Sequence, residues 1–179
     1  MLQVNNNIVL KNYEESDAGA LFRIVDENRA RLRNFLTWVD GTLKVEDSLE
    51  FIRSAHQNLH EQKGIAFGIF MDDILIGGIG MHHWNHTLRR AEVGYWIDKK
   101  QEGKGIMFEI AQSFILFLFE QVNLNKIELQ FKKENQRSAQ LAKRLGFTIE
   151  GVLRDSLLMH GAFHDVVIAG LLRREHLHK

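Results

Sequence analysis

The chain has no cysteine and no proline among its 179 residues. Without cysteine there can be no disulfide framework, no thiolate metal site and no cysteine nucleophile. A chain of this length and ordinary composition would contain roughly nine prolines. Their absence excludes cis-proline turns and polyproline II linkers, but it says little about function.

An excess of charge of one sign is also lacking, because 23 Lys and Arg residues balance 23 Asp and Glu residues. This balance removes the usual electrostatic reason to expect nucleic acid or an anionic membrane as a partner. The most apolar stretch, Phe114 to Phe119, is too short to cross a bilayer, and no signal-peptide pattern opens the chain. We therefore expect a cytoplasmic protein that binds neither nucleic acid nor membrane directly.

The sequence contains no linker, internal repeat or low-complexity tract, so residues 1–179 are predicted to form a single domain. Hydrophobic periodicity predicts one strand, three helices, three strands, a helix, a strand, a helix and two final strands. This order indicates an α/β fold (α+β) with a mixed, mostly antiparallel sheet of about seven strands and helices on both faces. It argues against a doubly wound parallel sheet.

Several elements of this pattern can be placed by residue number. Two strands, Ile65 to Met71 and Ile74 to Met81, are predicted to be joined by the two-residue turn Asp72-Asp73. A strongly apolar helix is predicted from about Ile106 to Val122. The last two strands are predicted at Phe147 to Leu153 and at Val166 to Leu172. A long irregular segment around Gly161 is expected to join them.

The most informative segment is Gln101 to Gly105, between a predicted strand and the apolar helix. Gly103 and Gly105 let the backbone turn sharply and expose successive amides where the helix begins. Such amides, together with the helix dipole, can bind phosphate. Three lysines would add positive charge: Lys99, Lys100 and Lys104. Spacing alone leaves an ordinary tight turn open, and neither the P-loop nor the three-glycine dinucleotide pattern is matched.

The residues from Gln101 to Ile106 resemble the acetyl-CoA pyrophosphate loop of the GNAT family of N-acetyltransferases. Downstream, Glu134 to Ser138 followed by Leu145-Gly146-Phe147 resembles a second element of that family. Three more segments resemble its RimJ/RimL branch, which acetylates protein N-termini, notably of ribosomal proteins: Leu36-Thr37-Trp38, Ala91 to Ile97, and His160-Gly161 with Asp165 to Val167. The resemblance covers essentially the whole chain.

The resemblance implies a GNAT fold in which a splayed strand pair binds acetyl-CoA as co-substrate. Unpaired backbone groups at the splay would bond the pantetheine arm like an added strand. The amide near Ile97 would stabilise the oxyanion, and the amides of Gly103 to Met107 would hold the pyrophosphate. The implied cofactor-binding residues are Ile97, Lys99, Gln101, Glu102, Gly103, Lys104, Gly105, Ile106, Met107, Asn135 and Ser138.

The resemblance also implies catalytic roles near the helix that follows Asn135. Ser138 matches the family serine that protonates the departing CoA thiolate, and Asn135 matches the asparagine that supports the cofactor arm. The residues themselves are equally compatible with a helix cap at Asn135 and an ordinary first-turn residue at Ser138.

The general base is where the chain departs from the family pattern. The position of the ribosomal enzymes' glutamate is Leu157 here, and the glutamate of a different branch is replaced by Gln130. Glu92, on the strand beside the cofactor cleft, is the predicted catalytic substitute. The alternatives are an exposed strand carboxylate or an ion pair with Arg89 or Arg90.

Three histidines, His82, His83 and His86, lie together in the sequence. They span a strand end and a loop, without the fixed second shell that a metal site usually has, so no metal is predicted. His83 could instead act as a base through water. Four other histidines are expected to face solvent: His160, His164, His176 and His178.

We therefore predict an acetyl-CoA-dependent N-acetyltransferase that modifies a protein N-terminal amine, such as that of a ribosomal protein. Direct attack of the amine is expected, because no cysteine can carry the acetyl group. A polyamine or aminoglycoside acetyltransferase is one alternative. A catalytically silent acyl-CoA-binding module is another, because of Leu157. The resemblance leaves a homodimer open.

Overall fold

The computed structural model describes residues 1–176, so His178 lies outside the described residues. The strands are β1 (Leu2–Gln3), β2 (Ile8–Asn12), β3 (Ile65–Met71), β4 (Ile74–Asn85), β5 (Arg90–Ile97), β6 (Lys126–Lys132), β7 (Thr148–Met159) and β8 (Ala162–Leu172). The helices are α1 (Ala18–Glu27), α2 (Arg29–Leu32), α3 (Val45–His60), α4 (Ile106–Glu120), α5 (Gln136–Leu145) and α6 (Arg173–His176).

All eight strands belong to one sheet, in the order β1-β2-β3-β4-β5-β6-β8-β7. Within residues 1–176, β5 and β6 are the only neighbours that run parallel, and α4 forms the crossover between them. The predicted mixed, mostly antiparallel sheet is confirmed, with the short β1 added to the expected strands.

Helices cover both faces of the sheet, as predicted. Leu10 and Ile69 pack into the core cluster that contains α4, whereas Phe70, the next residue along β3, packs into the cluster that contains α1 and α3. This alternation follows from the two-residue period of a strand. Phe114 and Phe119 of α4 are fully buried, and burying a side chain of this size contributes roughly 1.5–3 kcal/mol. No helix in the described part of the chain could span a membrane.

The turn between β3 and β4 has the predicted two residues. Asp72 and Asp73 both have positive φ, at 50° and 62°. Two consecutive left-handed residues form the type of tight turn that matches the twist of an antiparallel hairpin.

The prediction of a long irregular segment before β8 was wrong. β7 continues to Met159, and β8 already begins at Ala162, so His160-Gly161 is the tip of a hairpin. β7 is an edge strand with mostly exposed residues and a register shift between Leu153 and Leu157. Its sequence therefore lacks the regular apolar alternation by which a half-buried strand is recognised.

The parallel pair opens into a wedge. β5 and β6 are paired from Arg90–Lys126 to Val93–Leu129, and no further. Beyond that point β5 stays with β4 as far as Ile97, while β6 stays with β8 as far as Lys132. The sheet thus presents unpaired backbone between the ends of these two strands, next to the start of α4.

Candidate functional site

The loop before α4 exposes a row of backbone amides. Gly103 and Gly105 have φ of 76° and 80°, a left-handed conformation that favours glycine. Across the described residues, none of the amides of 103–107 donates a hydrogen bond to a protein acceptor; the first such donor is Phe108, to the Gly105 carbonyl at 3.0 Å. Five successive N–H groups are therefore available at the positive end of a 15-residue helix, an arrangement suited to a pyrophosphate.

The open side of β5 presents polar backbone groups to the wedge. The amide of Asp98 donates to the Ile76 carbonyl of β4 at 2.7 Å. Because hydrogen-bonded and non-hydrogen-bonded pairs alternate in an antiparallel ladder, the backbone groups of Tyr95 and Ile97 point away from β4. They face the wedge, where an extended ligand could bond to them.

Arg31 connects the wedge to the loop. Its guanidinium donates to the Ile97 carbonyl at 2.6 Å and to Oε1 of Glu102 at 2.6 Å. Arg137 holds the other carboxylate oxygen of Glu102. The side chain of Glu102 is thus turned towards these two arginines, and its amide donates to the Lys99 carbonyl at 3.2 Å. Contact of Glu102 with a cofactor stays a prediction.

A buried amide supports the turn that leads to the loop. The Asn28 side chain donates to the Ile24 carbonyl at 2.9 Å and to the Asp98 carboxylate at 3.1 Å, and it accepts from the Lys99 amide at 2.9 Å. The amide of Lys99 is therefore engaged within the protein, while its side chain is exposed. Nearby, the ammonium of Lys104 donates to the Gln101 side chain at 2.9 Å. Contact with a ligand stays a prediction for three of the predicted cofactor residues, namely Lys99, Gln101 and Lys104.

Asn135 and Ser138 lie where the sequence placed them, at the start of α5. The Asn135 side chain accepts from the Ser138 amide at 3.1 Å, so it caps the helix. The Ser138 side chain lies close enough to the phenol of Tyr95 to affect its ionisation. Burial raises the pKa of Tyr95, and the neighbouring Ser138 side chain partly opposes that rise. The sequence carries no signal for this proximity.

A cavity of about 840 Å³ lies on the α1 and α3 side of the sheet. Its floor includes three glycines that leave the strands without side chains: Gly78, Gly80 and Gly94. A Cβ at Gly80 would lie 2.4 Å from the Ile65 carbonyl, and one at Gly78 would lie 2.6 Å from the Tyr13 hydroxyl. Glycine is therefore required by close approach at these two positions.

Glu92 is the single carboxylate among the described residues that line this cavity. Its Oε1 lies 3.2 Å from Nε2 of His82, and its Oε2 lies 3.2 Å from Nδ1 of His83. Burial would raise the pKa of Glu92, but the hydrogen bonds and charges of His82 and His83 outweigh it, so the pKa is lowered. The alternative arginine pair is not seen, since Arg90 binds Glu128 instead.

The three histidines of the His82 segment separate in space. His82 lines the cavity, whereas His83 is largely exposed and Nε2 of His86 donates to the Gln62 carbonyl at 2.8 Å. The carboxylate of Glu92 is hydrogen-bonded to His83 and lies 3.2 Å from Nε2 of His82, and we assign no metal to these side chains. Elsewhere, His160 is exposed as predicted, whereas His164 and His176 are half-buried.

Leu157 and Gln130, the positions at which related enzymes carry a glutamate, both line the cavity. Their side chains supply no carboxylate. Trp38 lines the cavity and packs edge-on against Trp96, with ring centroids 6.0 Å apart.

Comparison with known proteins agrees with this geometry. Residues 7–148 match the acetyltransferase (GNAT) domain model. The chain belongs to the GNAT acetyltransferase family. YdaF of Bacillus subtilis (strain 168), provisionally named a ribosomal N-acetyltransferase, is 33% identical over 97% of this chain and 95% of its own length. The ribosomal-protein-serine acetyltransferase of Escherichia coli (strain K12) is 29% identical over 92% of each chain.

A more distant relative acts on a small amine. The spermidine N(1)-acetyltransferase of Escherichia coli (strain K12) is 26% identical over 68% of this chain and 65% of its own length. The GNAT acetyltransferase thus has curated relatives named for both protein and polyamine acceptors.

Solved structures share the fold of this acetyltransferase. RimL, a ribosomal L7/L12 α-N-protein acetyltransferase in complex with coenzyme A, superposes with a TM-score of 0.92, at 23% identity over 96% of this chain and 97% of that chain. The microcin C7 self-immunity acetyltransferase MccE, solved with acetyl-CoA and AMP, has a TM-score of 0.89, at 23% identity over 94% of each chain. These complexes agree with acetyl-CoA as the expected co-substrate.

Proposed function

We propose that this acetyltransferase transfers the acetyl group of acetyl-CoA to the N-terminal α-amino group of a protein, in the manner of the ribosomal-protein enzymes. The observation that carries the proposal is the row of five free amides from Gly103 to Met107, directly beside the open end of β5. That arrangement offers one binding site for the pyrophosphate and another for the extended arm of the donor.

The acetyl end of the donor would lie where the wedge meets the glycine floor of the cavity. An amide of β5 that points into the wedge, at Tyr95 or Ile97, would donate to the thioester oxygen as negative charge develops on it. The Ser138 hydroxyl, held beside Tyr95, would protonate the departing thiolate. An α-amine has a pKa of about 7.7–8.0, so a large fraction is already neutral near physiological pH.

The charge of the cavity favours a monocationic acceptor over a polyamine or an aminoglycoside. Glu92 supplies its one lining carboxylate, whereas Lys63 and Lys132 line it with positive charge. A polycation would need several acidic partners, and like charges facing it would cost binding energy.

The rim of the cavity is apolar and exposed, as a surface that receives a polypeptide needs to be. Phe35, Trp38 and Phe51 line the cavity and expose 39%, 42% and 47% of their surface. Aromatic side chains of this kind are enriched where proteins dock, because they bury large area at small entropic cost. The ribosomal names of the more similar relatives point to the same acceptor class.

The test is a competition between acceptors. The purified chain is incubated with acetyl-CoA, a peptide with a free N-terminal serine, the same peptide with a blocked N-terminus and one internal lysine, spermidine and an aminoglycoside. Thiol release and mass spectrometry are expected to show acetylation of the free α-amine with the highest kcat/KM. Preferential acetylation of spermidine, or acetyl-CoA binding with no transfer to any acceptor, would overturn the proposal.

A further inference from the structure

We propose that His82 accepts the proton of the attacking amine and that Glu92 positions its imidazole, an inference that rests on the proposed function. His82 and Glu92 face each other on β4 and β5, with 3.2 Å between Nε2 and Oε1. His82 lines the acceptor cavity.

The backbone of β4 is distorted at this pair. Consecutive strand residues normally point to opposite faces. Here the register shifts between His82 and Asn85, and His83 has a φ of 52°. A non-glycine residue in this region costs of order 1 kcal/mol or more and persists where the surroundings hold it. As a result both imidazoles contact the one carboxylate of Glu92, and each binds a separate oxygen.

Glu92 is better suited to holding an imidazole than to removing a proton. Its carboxylate is only 14% exposed; one oxygen is hydrogen-bonded to His83, and the other lies 3.2 Å from Nε2 of His82. Its pKa is lowered despite burial, because His82 and His83 stabilise the ionised form. A carboxylate of this kind is a weak proton acceptor, whereas an imidazole has an ordinary pKa, about 6.5, close to the pH at which the enzyme would work.

The imidazole of His82 reaches the place where the donor would enter. A Cβ built on Gly94 would lie 3.5 Å from Cε1 of His82, so the edge of the ring that carries both nitrogens lies over Gly94. Gly94 is the first residue of β5 beyond the last pair with β6. With Nε2 directed at Glu92, Nδ1 remains for the acceptor, directly or through one water.

The proton balance is complete without any further reagent. The amine nitrogen forms a bond to the acetyl carbon, the carbon–sulfur bond breaks, and the electron pair leaves with sulfur. Nδ1 of His82 takes one proton from nitrogen and later returns it to solvent. The Ser138 hydroxyl delivers one proton to the thiolate and regains one from solvent, so the products are the amide and CoA thiol.

Several charged or titratable side chains lie around His82. Glu92 faces it from β5, and His83 lies beside it with ring centroids 4.8 Å apart. Two lysines line the same cavity: Lys63, before β3, and Lys132, at the end of β6.

The experiment compares His82→Gln with His83→Gln, a matched control that removes the other imidazole on the same carboxylate. For each protein, kcat and kcat/KM are measured from pH 5.5 to pH 9 with an N-terminal-serine peptide, and acetyl-CoA affinity is measured by calorimetry. His82→Gln is expected to lower kcat by about 10²–10⁴-fold, the usual contribution of a general base. The acetyl-CoA affinity of this variant should stay within about twofold of the wild-type value. Its kcat should keep rising towards pH 9, where the kcat of the wild-type protein reaches a plateau above neutral pH.

A third variant, Glu92→Gln, separates positioning from proton transfer. It is expected to lower kcat while keeping the pH dependence of an imidazole, because His82 is still present. If wild-type protein transfers acetyl groups and His82→Gln keeps both its kcat and its pH profile, the role of His82 is refuted. If Glu92→Gln removes the acid limb and His82→Gln retains it, Glu92 is the base instead. If wild-type protein transfers no acetyl group, the proposed function itself has failed.

Discussion

The guanidinium of Arg31 donates a 2.6 Å hydrogen bond to the carbonyl of Ile97, the last residue of β5. These residues are 66 positions apart in the chain. Since the same guanidinium holds Glu102, one side chain of α2 fixes both the end of the wedge and the start of the loop that precedes α4.

Arg31→Ala is expected to weaken acetyl-CoA binding by about tenfold or more, because removal of one half-buried, charge-assisted hydrogen-bond partner costs roughly 1.5–3 kcal/mol. Calorimetric titration with acetyl-CoA measures the change. Arg33→Ala is the matched control, since Arg33 pairs with Asp40 on the surface with 46% of its side chain exposed. Equal affinities for the two variants would show that Arg31 does not shape the donor site.

Gly103→Glu is expected to abolish acetyl-CoA binding, because it forces a side chain into a left-handed conformation and places negative charge where phosphate would lie. Gly161→Glu carries the same charge and the same backbone strain: Gly161 has a φ of 78°, with no heavy atom near the added Cβ. It is expected to retain binding. Calorimetry and melting curves with and without acetyl-CoA distinguish the two, and retained affinity in Gly103→Glu would refute the loop assignment.

Ser138→Ala is expected to lower kcat by roughly 10²-fold, the low end for a proton-transfer group, while acetyl-CoA affinity stays within about twofold. Tyr95→Phe removes the phenol near Ser138 but leaves the serine hydroxyl in place, so a smaller loss is expected. Steady-state kinetics with both substrates varied gives the split between kcat and KM. An unchanged kcat in Ser138→Ala would exclude the serine as the acid.

Gly80→Ala and Gly94→Ala are expected to affect different properties. An added Cβ at Gly80 would lie 2.4 Å from a backbone oxygen, so the strands must move apart, which costs about 1–3 kcal/mol. The same atom at Gly94 meets only the His82 ring at 3.5 Å, an ordinary contact. Gly94→Ala is therefore expected to melt near the wild-type temperature yet lose at least about tenfold in kcat, because the added methyl group would occupy the space beside the His82 ring through which the acceptor must approach. Thermal melts and kinetics on both variants provide the comparison, and full activity in Gly94→Ala would contradict it.

Local signals predicted much of the fold. The turn at Asp72-Asp73 and the start of α4 at Ile106 follow from residues next to them in the chain, and the structure has both. The sequence did not predict that His160-Gly161 is the tip of a hairpin, because β7 is an exposed edge strand. Its apolar residues do not face one side of the sheet only, and period-two alternation is the signal by which strands are recognised.

The candidate site was predictable only in part, for the same reason. The glycine loop and the Asn135 cap depend on neighbouring residues and could be placed by spacing. The contacts of Arg31 with Ile97 and of Ser138 with Tyr95 join distant segments. Such contacts depend on how the strands are ordered and where the wedge opens, which hydrophobic period does not encode.

The wedge also has a mechanical meaning. The five strands from β1 to β5 are tied to the three from β6 to β8 by a ladder of four rungs, between Arg90–Val93 and Lys126–Leu129. A molecule that bonds to both sides of the gap would supply the missing rungs and couple two blocks that otherwise hinge on a short seam. Donor occupancy is therefore expected to stiffen the whole sheet, so that amides of β2 and β8, far from the ligand, exchange with solvent more slowly when it is present.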